Sequence, residues 1–187
     1  MGIRRAPGKE NLMQSQDNYR IALLSAYALA LHGFESLIPM PIPWLKVGLA
    51  NIITITTFIL FGFKAAFTVS LIRVTIASLF SGTFLGPGFV LSMGGGIAST
   101  LAMGMVFTVI PGLFGPMGFS LIGALFHNLA QLVLAYLLFV QKIEPVLLIA
   151  PVLILIGTLT GFINGLVADL LIKNLKNSGV TIQNIQE

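Results

Sequence analysis

An all-α integral membrane bundle is the fold the sequence predicts, and three observations predict it. Hydrophobic residues fill 56% of the 187 positions and charged residues only 9%, against roughly 25% charged in a soluble domain. Mean hydropathy is +0.98. Apolar runs long enough to cross a bilayer recur along the chain, separated by proline, glycine or charge. They divide it into a polar, basic N-terminal leader at 1–19, a membrane domain at 20–173 and a polar tail at 174–187. Six transmembrane helices are expected in that domain, at 20–38, 45–61, 65–81, 88–110, 118–140 and 147–172.

The first span carries two faces. Ala22, Ala26 and Ala30 form a narrow stripe at helical spacing, a surface on which a second helix can pack closely. Glu35 lies about 180° around the helix from Ala26. A charge in lipid costs roughly 2.5 to 3.5 kcal/mol on insertion scales, so Glu35 is a functional candidate from its position alone. Between spans 1 and 2, Pro39, Pro41 and Pro43 stiffen a segment ending in Trp44 and Lys46, either a lid over an outward pocket or an anchored connector. Asn51 and Thr54 then continue on one face of span 2.

Span 3 follows span 2 across Phe61, Gly62, Phe63 and Lys64, read as a tight turn. It gathers Ala66, Ser70, Arg73 and Ala77 in one arc, which carries the arginine toward the protein interior. A buried guanidinium needs an acceptor, and Glu35 is the acidic residue at comparable depth. Glu35 and Arg73 form either a closed structural pair or part of a site. Span 4 carries Gly94, Ala98 and Ala102, and span 6 carries Gly157, Gly161 and Gly165; both stripes are expected to serve helix packing within the chain. On span 5, Ser120, Ala124, His127 and Gln131 share a face with Asn128 at its edge, a grouping of donors and acceptors that reads as a lining.

Six spans put both termini on one side. Arg4, Arg5, Lys9, Arg20, Lys64, Lys173 and Lys176 lie on that side and only Lys46 and Lys142 on the other, so both termini are expected in the cytoplasm of a multi-pass plasma-membrane protein. The basic residues border the membrane and do not form a patch with interleaved aromatics, which argues against nucleic acid as a partner. No Walker A, HExxH or DDxxD sequence occurs, and Asp17 and Asp169 stand alone. Neither ATP hydrolysis nor prenyl diphosphate chemistry is expected of this chain by itself, and no cofactor or metal is expected.

Gly48, Leu49, Ala50 and Asn51, the Phe61 to Lys64 turn, the glycine triplet at 94–96 and His127, Asn128, Leu129, Ala130 and Gln131 lie in a stretch that resembles the Gx transporter family. Members of that family are often labelled heptaprenyl diphosphate synthase component I. The family in turn is similar to the substrate-binding S-components of energy-coupling factor (ECF) transporters. That resemblance implies a six-helix, S-component-like bundle without catalytic residues, working with a transmembrane T-component and ATPase subunits. It makes Ala22, Ala26 and Ala30 the expected contact with the T-component. Glu35, Lys46, Asn51, Arg73, His127, Asn128 and Gln131 are the expected lining of a solute site. The component I label implies a second reading, an accessory membrane subunit of polyprenyl diphosphate or quinone synthesis that holds a prenyl lipid.

Overall fold

The computed structural model describes residues 21–31 and 49–177, together with Tyr19 and Gly33; at 49, 50 and 176 the backbone alone is described. Glu35, Lys46 and the proline-rich segment at 39–46 lie outside the described residues. The helices are α1 (Ile21–Leu31), α2 (Leu49–Phe80), α3 (Pro87–Val109), α4 (Pro116–Ala135) and α5 (Ile143–Asn177), and a π-helical turn, Tyr136–Val140, prolongs α4. Over 51–80, 87–109, 116–140 and 143–175 they are long and apolar enough to cross a membrane. The chain is a multi-pass membrane protein.

Spans 2 and 3, expected as separate helices, form one helical stretch broken at a single residue. Gly62 sits at φ 82° and ψ −178°, a region essentially closed to any side chain. Packing reveals what the break does. Ile53 and Val69 belong to one buried cluster with Ala28, whereas an unbroken helix would hold them about 24 Å apart. A single alanine cannot span that gap, so the two limbs of α2 fold back on each other at Gly62. Gly62→Ala is therefore expected to lower stability by about 1 to 3 kcal/mol. Thermal unfolding of the purified protein in detergent checks this; an unchanged midpoint would show that the backbone relaxes there without strain.

Glycine contacts fix the order of the remaining helices. A Cβ on Gly104 would meet Phe63 and one on Gly96 would meet Ser70, which sets the second limb of α2 antiparallel to α3. Gly123 faces Ser99 and Met103, and Gly95 faces His127, so α3 and α4 are antiparallel too. Gly157 meets Asn128, Gly161 meets Ala124, and Gly165 meets Met117 and Ser120, which zips α5 along α4. The span 6 glycines thus pack within the chain, as expected of them. The α5 helix is longer than the expected 147–172: it begins at Ile143 and takes Glu144 into its first turn. Pro145 suits a first helical turn and an acidic residue there meets the positive end of the helix dipole, so both favour the earlier start.

Two ends of the bundle differ in chemistry. Near Gly62, Phe58 lies against Phe107 at 5.8 Å and 87° and against Phe119 at 5.3 Å, while Phe114 meets Phe119 at 6.3 Å. Ile52, Ile55, Ala66, Met103 and Ala168 complete this cluster. It forms an aromatic plug at the Lys64 end. Lys173 and Asp169 pair at 2.7 Å on the surface toward the same end of α5. Ser70, Arg73, His127 and Asn128 lie toward the other end, where the loop after Phe80 and the π-helical turn sit.

Candidate functional site

The interior above the plug is built from three helices that meet at the glycine triplet. Ala66, Ser70, Arg73 and Ala77 are all buried, so the arc on the second limb of α2 faces the protein as its spacing predicts. Ser70 Oγ approaches Gly96 so closely that a Cβ there would lie 2.9 Å from it. On the neighbouring residue, a Cβ at Gly95 would lie 2.7 Å from Cε1 and 2.8 Å from Nδ1 of His127. Only glycine at both positions lets Ser70 and His127 flank α3 at one level. Arg73 lies one helical turn beyond Ser70 on the same limb and is buried with it.

Arg73 is 6% exposed, and such burial of a guanidinium requires acceptors or a ligand to offset its desolvation. His127 is only partly buried as a residue, but its Nδ1 is sealed against the Gly95 backbone and makes no well-formed hydrogen bond among the described residues. The first limb of α2 adds a column. Thr54 lies one turn, and Asn51 two turns, from Phe58 on the same helix face, and Phe58 points inward to the plug. Thr54 is 3% exposed and its Oγ1 has no hydrogen-bond partner among the described residues, while Asn51 is half-buried. In a membrane helix a threonine hydroxyl commonly returns to the carbonyl four residues back, as Thr57 does to Ile53 at 2.7 Å. Thr54 does not.

The polar face expected on span 5 divides. Ser120 donates to the Gly161 carbonyl at 2.6 Å and Asn128 donates to the Leu153 carbonyl at 3.2 Å, both toward α5. Those two brace α4 against α5, and the small glycines of α5 admit them. His127 turns the other way, to α3. Gln131 falls between the two directions and is half-buried. Of the residues named from sequence, Arg73 and Asn128 are buried, Asn51, His127 and Gln131 are half-buried, and Asn128 is directed to a neighbouring helix. Gly95 and Gly96 as the seats of His127 and Ser70, and the aromatic cluster around Phe58, were not foreseen from sequence. A run of three glycines in a membrane helix was the available signal for the first.

A second surface lies on α1. Ala22, Ala26 and Ala30 are all exposed, beside Leu23 at 42% and Tyr27 at 56%, whereas Ser25 and Ala28 turn inward at 6% and 0%. The alanine stripe therefore faces away from the described bundle, and the opposite side of α1 holds it to Ile53 and Val69.

Comparison with known proteins adds two findings. The model of a family described as heptaprenyl diphosphate synthase component I matches residues 24–171. A solved S component of a bacterial ECF transporter superposes with a TM-score of 0.71 at 20% identity, covering 88% of this chain and 98% of that one. No curated protein matches the chain.

Proposed function

The chain belongs to the heptaprenyl diphosphate synthase component I family, and from that premise we propose that it is a solute-binding membrane component of an ECF-type importer. The observation that carries the proposal is the polar interior above a closed aromatic plug, set within a fold shared with a bacterial S component. In this reading six helices span the plasma membrane with both termini in the cytoplasm, over a membrane domain at 20–173. The plug then faces the cytoplasm, and the interior holding Arg73, His127, Asn51 and Gln131 opens outward. Glu35 and Lys46 complete the lining from the segment that follows α1, and Asn128 supports it by fixing α4 on α5. The exposed stripe of Ala22, Ala26 and Ala30 is the contact with a T-component, which with two ATPases supplies the energy this chain does not.

A plug on one side and polar side chains in the interior on the other is what a one-sided receptor needs. Solute enters from outside, meets donors in a low-dielectric interior where each hydrogen bond is strong, and cannot leave inward until the helices move. None of these residues is assigned a catalytic role. Native mass spectrometry of the detergent-purified protein tests the reading: a small molecule retained by the wild type and lost in Glu35→Gln, with membrane insertion intact, is the expected result. A retained prenyl lipid in its place would turn the assignment toward an accessory subunit of prenyl diphosphate synthesis.

A further inference from the structure

We infer, building on the solute-binding reading, that the group recognised between the second limb of α2 and α4 is an oxyanion, a carboxylate or phosphate, of a water-soluble ligand seated on Arg73, Ser70 and His127. A guanidinium presents five N–H donors in a planar fork that matches two oxygens of a carboxylate or phosphate. Ser70 can add a hydroxyl donor one turn away, and His127 a ring N–H from the facing helix. Gly95 and Gly96 admit these two side chains against adjacent residues of α3, at one level of the bundle. Thr54, on the first limb of α2, carries a further buried hydroxyl that is unengaged among the described residues.

Charge elsewhere in the described spans does not compete for this place. Asp169 lies toward the other end and is paired with Lys173, and Glu144 is exposed in the first turn of α5. A cationic ligand group would meet the Arg73 charge at short range in a poorly screened interior. An anionic one gains from it. Arg73 also interacts within the protein, and the ligand oxyanion shares its five-donor guanidinium with that contact.

The test follows thermal unfolding of the full chain in dodecyl maltoside at constant ionic strength, in sodium chloride, sodium acetate or sodium phosphate, and separately in chloride with phosphatidylglycerol added. Acetate or phosphate is expected to raise Tm saturably over chloride. His127→Leu is expected to raise the half-saturating concentration about tenfold or more, as loss of a hydrogen bond to a charged group implies. Phosphate also stabilises proteins by exclusion from their surface, so sensitivity to the variant is the criterion. Gly95→Ala, which must displace the imidazole, is expected to act in the same direction and serves should His127→Leu fail to fold. No saturable effect of either ion, an equal effect on wild type and variants, or an effect of phosphatidylglycerol alone would overturn the oxyanion. Retention of a neutral or cationic solute without an anion effect would overturn it while leaving the receptor reading in place. Variant-sensitive anion binding without T-component association would uphold it and count against the importer.

Discussion

Gly165→Leu is expected to destabilise the bundle by about 3 kcal/mol, the upper part of the range for overpacking a close-packed interior. A Cβ at Gly165 would lie 2.8 Å from the Cα of Met117 and 3.0 Å from the Cβ of Ser120. Backbone cannot swing aside, so α4 and α5 must separate. Separation also breaks the bond from Ser120 to the Gly161 carbonyl, a 2.6 Å contact, and leaves a carbonyl without that partner in a medium with no water to replace it. Unfolding in detergent measures the loss. Leu166→Ala provides the comparison, since Leu166 is 40% exposed on the adjacent face and its truncation removes little packing within the chain. Equal effects of the two changes would mean that the crossing at Gly165 is not a tight point of the fold.

The same crossing shows what could be read in advance and what could not. Glycines at 157, 161 and 165 announce a close helix contact by spacing alone, because a small residue every fourth position in an apolar helix has few other uses. The partner helix was not legible. In a soluble helix polar residues mark the outside, but here apolar side chains cover both the lipid face and the interior, so periodicity does not separate them. Ser120, Ala124, His127 and Gln131 therefore looked like one lining. Their division between α5 and α3 depends on where the glycines of those helices fall. Phe58, Phe107 and Phe119 come from three helices, and nothing local to any one of them signals that their rings meet. Arg73 was the converse case: a charge in an apolar span must turn inward, and its arc with Ser70 and Ala77 gave the direction correctly.

Ala26→Trp is expected to leave folding and solute retention unaffected and to weaken assembly with a co-expressed T-component by about a hundredfold, equivalent to roughly 2.7 kcal/mol. Ala26 is exposed, so within this chain the indole replaces lipid contact with more of the same kind, and stability should stay within about 0.5 kcal/mol. Against a partner helix the result differs. Without a hydrophobic driving force in the bilayer, association rests on close backbone approach, and a bulky ring at the centre of the Ala22, Ala26 and Ala30 stripe forces the helices apart. Ala28→Trp is the control from the other face. Ala28 is fully buried in the cluster with Ile53 and Val69, so its enlargement is expected to unseat α1 and lower stability directly. Affinity pull-down and thermal unfolding on the two variants separate the faces: assembly lost with the fold kept for Ala26→Trp, and the fold itself weakened for Ala28→Trp. Undiminished assembly with Ala26→Trp would remove the alanine stripe as the docking surface. The polar interior could then still bind solute, but its coupling to an energy source would have to run through another face of the bundle.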